Sequence, residues 1–117
     1  MSDGVFRSKK GFTVVQNSVT RNKELSLKAK GLYMLIQSYI TMPEKSWLKS
    51  DFQEMVIEGY CAFESAWKEL KRAGYIKQHI YSTGKAFRTE YELLDEPQPG
   101  DSIFYYNKDG AVTKSLQ

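Results

Sequence analysis

The sequence predicts an α+β fold in which three helices precede a C-terminal β-hairpin. The clearest helix has one apolar face at the spacing i, i+3, i+4 and i+7, formed by Phe63, Ala66, Trp67 and Leu70. Gly74 follows at a position where a residue with positive φ can end the helix. Two segments of strand-like composition then flank a short polar turn, which is typical of a hairpin. At 117 residues the chain fits one domain.

A strand and a first helix are expected near the start of the chain. Phe12 to Val15 is a short apolar run with β-branched residues, which favours a strand, and the polar stretch 17–24 is expected to be a connection. Ser26 is a good N-cap because its hydroxyl can accept a hydrogen bond from a free backbone N–H. Apolar residues at helical spacing then predict a helix from about Leu27 to about Thr41. Pro43 marks its end because it has no backbone N–H.

The second and third helices are predicted on either side of Gly59. Ser50 and Gln53 make a capping box for a helix that begins near Ser50. The third helix begins near Tyr60 and ends at Ala73. Cys61, in its first turn, is expected to be a small packing residue. Two helices joined through a few residues that include a glycine have the spacing of a helix-turn-helix.

The hairpin follows directly. Tyr75 to Tyr81 predicts one strand, residues 82–85 a turn and Arg88 to Leu94 the returning strand. Alternation points Ile76 and Ile80 toward the core. The opposite face of that strand would carry Tyr75, Lys77, His79 and Tyr81. A hairpin in this position is a wing, so the predicted architecture is a winged helix-turn-helix.

We divide the chain into a flexible basic arm at 1–10, a winged-helix domain at 11–94, and a linker with a C-terminal tail at 95–117. Two prolines and three acidic residues at 95–101 discourage both helix and sheet. Beyond them, Ile103 to Tyr106 is a short strand candidate.

Composition and motifs exclude several classes of protein. No stretch approaches the roughly 18 apolar residues of a membrane span, and the N-terminus lacks the apolar stretch of a secretory signal. One cysteine rules out an internal disulfide and suits a reducing cytoplasm. One histidine excludes a histidine-based metal site. Because the common nucleotide-binding, zinc-protease and Cys-pair motifs are also missing, we expect no enzyme activity, no metal and no cofactor.

Charge is uneven along the chain. Residues 1–50 hold nine Lys/Arg against three Asp/Glu, whereas residues 51–117 hold eight against eleven. A basic front half can face a polyanion such as nucleic acid, or it can be an ordinary solvated surface.

The third helix would present its polar side to DNA. Since its apolar face must pack on the core, the opposite face is free to enter a major groove. Residues of the first turns would reach base edges, whereas Lys68, Arg72 and the wing would meet phosphates. The candidate DNA-binding residues are Tyr60, Ala62, Glu64, Ser65, Lys68, Arg72, Lys85 and Arg88.

Three segments carry a family resemblance that covers about residues 5–94. Gly59 to Ile76, GYCAFESAWKELKRAGYI, resembles the recognition helix and first wing strand of winged-helix proteins. Phe12 to Val15 and Leu25 to Leu32, LSLKAKGL, resemble the start of the N-terminal winged-helix domain of replication initiators and replisome organisers. Those proteins occur on plasmids, phages and mobile elements of Gram-positive bacteria. The resemblance implies binding of double-stranded DNA, replication initiation or its control, and a homodimer or a replication-protein partner.

A protein-interaction module without sequence-specific DNA reading is the alternative. Glu64 would repel phosphates, although a carboxylate can accept a hydrogen bond from cytosine N4. The second half of the chain is acidic, and the Ile103 to Tyr106 strand could pair with another chain by strand addition. The same fold would then serve dimerisation.

Overall fold

The computed structural model describes residues 12–41 and 46–117, so the predicted basic arm and Pro43 lie outside the described residues. The described chain has an α+β fold with four helices and one four-stranded mixed sheet. The helices are α1 (Asn17–Thr20), α2 (Leu27–Ile40), α3 (Lys49–Met55) and α4 (Tyr60–Ala73). The strands are β1 (Ile76–Ser82), β2 (Phe87–Leu93), β3 (Ile103–Tyr106) and β4 (Val112–Leu116).

The core lies where α2, α3, α4 and the start of β1 meet. α2 begins after Ser26, as predicted, and the Ser26 hydroxyl accepts a hydrogen bond from the Ala29 N–H at 3.2 Å. The four apolar residues that define the predicted face of α4 are all buried. They join the buried faces of α2 and α3 in one cluster. Its members in α2, α3 and α4 are Ala29, Leu32, Tyr33, Ile36, Phe52, Phe63, Ala66, Trp67 and Leu70.

α4 ends as the sequence predicts. Gly74 follows Ala73 with a φ of 92°, in the left-handed region that favours glycine. The Gly74 N–H donates to the Lys71 carbonyl at 3.2 Å, and the Tyr75 N–H donates to the Leu70 carbonyl at 2.9 Å. These two bonds satisfy carbonyls at the helix end. The chain therefore passes from α4 into β1 within two residues.

The predicted capping box of α3 is wrong. α3 begins at Lys49, so Ser50 already lies inside the helix. The carboxylate of Asp51, not the side chain of Gln53, accepts a hydrogen bond from a free backbone group, the Leu48 N–H at 2.8 Å. A carboxylate in the first turn also interacts favourably with the helix dipole, which explains the earlier start.

Residues 12–15 do not form a strand, contrary to the prediction. They have no regular structure, and Phe12 is 86% exposed. The side-chain amide of Gln37 on α2 donates to the Val14 carbonyl at 3.3 Å, so the segment lies along a helix and not beside a strand. The expected connection at 17–24 contains the single-turn helix α1, whose Val19 is fully buried.

The sheet has the strand order β2-β1-β3-β4. β1 and β2 form the predicted antiparallel hairpin, with Ile76 opposite Leu93. β3 pairs with β1 in parallel and with β4 antiparallel, which confirms the strand predicted at Ile103 to Tyr106. Because β3 is paired on both sides within the chain, it has no free edge, and the hypothesis that it adds to another chain's sheet is wrong.

Two ring stacks join β3 to β1. His79 stacks on Phe104 with centroids 5.5 Å apart, and Tyr81 stacks on Tyr106 with centroids 4.6 Å apart. The His79 Nδ1 also lies 2.7 Å from the Tyr106 hydroxyl. Cross-strand aromatic pairs contribute up to about 1 kcal/mol each, so these contacts stabilise the packing of β3 against β1.

Two buried tyrosines connect the helices to the rest of the chain. Tyr75 is fully buried, although the sequence placed it on the outer face of β1, because it lies in the turn before the strand begins. Its hydroxyl donates to the Ser18 carbonyl at 2.8 Å, and its ring meets the edge of Tyr33 at 5.6 Å. The Tyr33 hydroxyl donates to the Leu94 carbonyl at 2.8 Å, and burial raises the pKa of Tyr33 to about 12.

Lys77 is also buried, contrary to the outward position predicted for it. Its ammonium donates to the backbone carbonyls of Gln98 and Asp101, the latter at 2.6 Å. A buried charge needs such partners, and here the linker supplies them. The Gln98 N–H donates to the Gly74 carbonyl at 3.0 Å, so the linker is held over the corner between α4 and β1.

The close approach of the linker makes Gly74→Ala strongly destabilising. A Cβ at this position would overlap backbone atoms of Gln98 and Pro99, and the left-handed φ adds strain. We expect the free energy of unfolding to fall by at least about 2 kcal/mol in a urea titration.

Gly31→Ala in α2 is the matched control. Its Cβ would meet no heavy atom within 4 Å in the described structure, and alanine is favoured over glycine inside a helix by about 1 kcal/mol. Similar losses in both variants would contradict this account.

Candidate nucleic-acid interface

One exposed stripe runs along the side of α4 that faces away from the core. Cys61, Ser65, Lys68 and Arg72 recur at i, i+4, i+7 and i+11, and all four are exposed. Tyr60 stands beside the stripe at the start of the helix and is also exposed. Cys61 is therefore not the packing residue that the sequence suggested. The stripe presents hydrogen-bonding groups in the first turns and two cations in the later turns.

Two of the predicted site residues on α4 are half-buried and not exposed. Ala62 lines a groove beside Phe63 and Leu32, away from the stripe. Glu64 borders the stripe, and its carboxylate lies 2.8 Å from the Lys49 ammonium of α3. The structure thus brings Tyr60, Glu64, Ser65, Lys68 and Arg72 together along one groove and separates Ala62 from them.

The ion pair of Glu64 changes the electrostatics expected of α4. The Lys49 ammonium also lies 4.6 Å from the centroid of the Trp67 ring, so it is fixed between the carboxylate and the aromatic face. A cation at this distance offsets much of the repulsion that the Glu64 carboxylate would otherwise exert on a phosphate near the stripe.

The second acid of α4 is also engaged. The Glu69 carboxylate accepts hydrogen bonds from the Ser26 N–H at 3.0 Å and from the Ser26 hydroxyl at 2.7 Å. These two bonds hold the pKa of Glu69 below its usual value. They also tie α4 to the N-terminus of α2, so they set how the stripe is oriented relative to the rest of the helices.

α2 contributes a cation that the sequence analysis missed. The Lys28 ammonium donates to the Ser65 hydroxyl at 3.0 Å, which places a third positive charge beside the stripe. Lys28 lies in the first turn of α2, and only the packing of α2 on α4 brings it to Ser65. Hydrophobic spacing alone carries no signal for such a contact between helices.

The hairpin residues form a separate group. Lys85 is exposed in the turn between β1 and β2, and Arg88 lies over the Tyr81 ring at 5.1 Å and 3.4 Å from the Glu90 carboxylate. At about 3.3 Å per residue, the tip lies roughly 20 Å from the end of α4. Lys85 and Arg88 therefore do not join the stripe but would form a second contact region.

The parallel pairing of β3 with β1 adds a further cation to that region. Because the two strands run in the same direction, the turn after β3 lies at the same end of the sheet as the turn after β1. Lys108 is exposed in this second turn. No pattern in the sequence of the tail places Lys108 beside the turn between β1 and β2.

Within residues 12–41 and 46–117, the side chains of His, Cys, Asp and Glu form no group of three or more that could hold a metal ion. No helix in this part of the chain is long and apolar enough to cross a membrane. When the chain is compared with protein-family models, with curated proteins and with solved structures, nothing matches it.

The contact between Glu69 and Ser26 predicts a pH-dependent stability. Because the pKa of Glu69 is lowered by folding, this stabilisation is present above the unfolded value of 4.5 and is lost as the pH falls below it. Glu69→Gln should lower the free energy of unfolding by about 1 kcal/mol at neutral pH, measured by urea denaturation. The difference in free energy of unfolding between the wild type and this variant should become smaller at acid pH. Glu54→Gln, an exposed acid of α3, is the control and should show neither effect. A difference in free energy of unfolding that stays constant from pH 7 to pH 3 would argue against the contact between Glu69 and Ser26.

Proposed function

We propose that this chain binds double-stranded DNA as a winged helix-turn-helix protein. In this proposal α3 and α4 are the helix-turn-helix, α4 is the recognition helix and the β1–β2 hairpin is the wing. The observation that carries it is the exposed stripe of α4. Its cations are directed outward, whereas Glu64 and Glu69 are paired with Lys49 and Ser26. A helix of this kind fits the width of a major groove.

The positions along α4 suggest different tasks. Tyr60 and Ser65 lie in the first two turns, where recognition helices commonly approach base edges. Lys68 and Arg72 lie in the last two turns and are suited to phosphates, as is Lys28 from α2. This division gives the helix few base-reading groups and more phosphate contacts, so we expect moderate sequence specificity.

The turns of the sheet would touch the DNA backbone beyond the recognition helix. Lys85 and Lys108 are exposed at the same end of the sheet, and Arg88 lies close to Lys85 in β2. Contacts at this distance from α4 would bind a neighbouring stretch of the duplex.

The biological setting is inferred from the resemblance alone. The segment from Leu25 to Leu32 is similar to replication initiators and replisome organisers of mobile elements, and it forms the start of α2 together with the cap that Glu69 contacts. We infer a role in replication initiation or its control, in the cytoplasm, with no catalytic step and no cofactor.

Removal of the stripe cations should weaken DNA binding. Fluorescence anisotropy with a labelled duplex, titrated at several salt concentrations, measures both the affinity and its salt dependence. Lys68→Ala and Arg72→Ala should each lower the affinity several-fold on every duplex tested. Each should also reduce the slope of log affinity against log salt by about one, because one phosphate contact is lost.

Arg21→Ala is the matched control for this experiment. Arg21 is an exposed cation at the end of α1, outside α4 and the hairpins. It should leave the affinity and the slope nearly unchanged. If the wild-type chain binds no duplex at low salt, the proposed function is wrong. If all three variants lose affinity equally, the interface is not the α4 stripe.

Dimerisation is the second candidate function, and one surface favours it. Leu27, which is 86% exposed, lines an apolar groove of about 510 Å³ between α2 and the α3–α4 turn, and Ile57, 97% exposed, lies in that turn between Val56 and Glu58 of the groove. The groove also carries Lys28 from α2 and Glu58 from the turn. A twofold axis brings the same surface of two copies together, so opposite charges within one groove can pair across it. We therefore take a second copy of this chain as its partner.

Ile57→Glu tests this alternative. A carboxylate in a buried apolar contact is costly, so the variant should have the mass of a monomer in light scattering, whereas the wild type has the mass of a dimer. Val14→Glu, a substitution at an exposed apolar residue of the N-terminal segment, should remain dimeric. A wild-type chain that is monomeric at every concentration would exclude dimerisation through this groove.

A further inference from the structure

A basic cleft lies between the C-terminal end of α4 and the C-terminal segment. Its volume is about 400 Å³, and it is distinct from the groove beside Leu27. One wall is formed by three cations of α4 and the other by residues that precede β3 and follow β4. The lining residues are Lys68, Lys71, Arg72, Gly100, Ser102 and Gln117.

The three cations of the cleft form no ion pair with the residues that the structure describes. No carboxylate from that part of the chain lies within 4 Å of any of them. The nearby acids have other partners. Glu64 pairs with Lys49, and Glu69 accepts both of its hydrogen bonds from the N-cap of α2. The Asp101 carboxylate accepts a hydrogen bond from the Ser115 hydroxyl at 2.7 Å.

Lys71 is the least solvated of the three cations. It is half-buried, and its ammonium donates to the neutral side-chain oxygen of Gln78 at 3.1 Å. Burial, together with the neighbouring Lys49, lowers the pKa of Lys71, and the carboxylate of Glu64 opposes part of this shift. An anion in the cleft would offset that cost, because an opposite charge favours the charged form of an ammonium.

Ser102 offers an uncharged donor in the same cleft. It is 4% exposed, and its backbone is fully used: its N–H donates to the Leu116 carbonyl, and its carbonyl accepts from the Gln78 N–H, both at 2.7 Å. Its hydroxyl makes no hydrogen bond to any residue in the described ranges. Because Ser102 lines the cleft and its hydroxyl is not used within the fold, this group is placed to donate to a ligand there.

We propose that this cleft binds one backbone phosphate of a duplex that lies across α4. A guanidinium, two ammonium groups and a hydroxyl are all donors, and a phosphodiester offers only acceptor oxygens and one negative charge. Lys68 and Arg72 belong both to the cleft and to the exposed stripe, so the two surfaces are continuous. This inference rests on the proposed DNA binding and assigns the C-terminal segment a direct part in it.

Lys71→Gln and Ser102→Ala in the full chain separate the charge of the cleft from its hydroxyl. In anisotropy titrations with a labelled duplex, Lys71→Gln should weaken binding about tenfold and lower the salt slope by about one. Ser102→Ala should weaken binding a few-fold and leave the slope unchanged, because a hydroxyl releases no counterion. Arg21→Gln removes one positive charge outside the cleft and is the charge-matched control. It should change neither the affinity nor the salt slope. Thermal melts check that each variant is folded.

A second arm distinguishes DNA from free phosphate. The amide signals of Gly100 and Ser102 should shift in NMR spectra when a short unlabelled duplex is added, at far lower concentration than inorganic phosphate requires. Shifts with inorganic phosphate but none with the duplex would overturn the assignment to DNA. A wild-type chain that binds duplex while both variants keep its affinity and slope would overturn the cleft but leave the proposed function standing. A wild-type chain without duplex binding would overturn both.

Discussion

The packing of the apolar face of α4 against α2 is the constraint on which the rest of the structure depends. Once Phe63, Trp67 and Leu70 are buried, every other side chain of that helix has its direction fixed by the helical repeat. The same packing brings Ser26 to Glu69, so the orientation of α4 is set by an apolar contact and by a polar one. The corner at Gly74 then fixes where the sheet begins.

The distribution of charge over α4 follows from this packing. The helix carries acidic and basic residues in similar numbers, so its composition alone indicates little net charge. In the fold, Glu64 pairs with Lys49 of α3 and Glu69 accepts hydrogen bonds from Ser26, whereas Lys68 and Arg72 remain exposed to solvent. Lys68 and Arg72 thereby stay without an ion pair among the described residues, and only the positions of partners on other elements show this.

The elements with strong local signals were predictable, and those held by distant partners were not. The bounds of α4, its glycine end and the β1–β2 hairpin follow from periodicity and turn residues, which act over a few positions. The burial of Tyr75 and Lys77 depends on carbonyls of α1 and of the linker, far away in the chain. No local pattern encodes those contacts.

The part of the candidate site that lies on α4 could be predicted from the sequence, and the parts from other elements could not. The stripe residues Ser65, Lys68 and Arg72 follow from the helical repeat once the buried face is known. Lys28 and Ser102 come from α2 and from the C-terminal segment, and packing between elements alone brings them to α4. The parallel pairing of β3 with β1 is likewise a property of the fold and not of either strand.

That parallel pairing also affects how the molecule avoids self-aggregation. Without β3, the strand that carries His79 and Tyr81 would end the sheet, and a long aromatic border is a template for unwanted association between chains. With β3 and β4 in place, the border on that side is a short strand that carries Lys114 and Ser115, which discourages such templating. Residues 102–117 therefore also cover the aromatic edge of β1, and a chain shortened before Ser102 would be prone to aggregate.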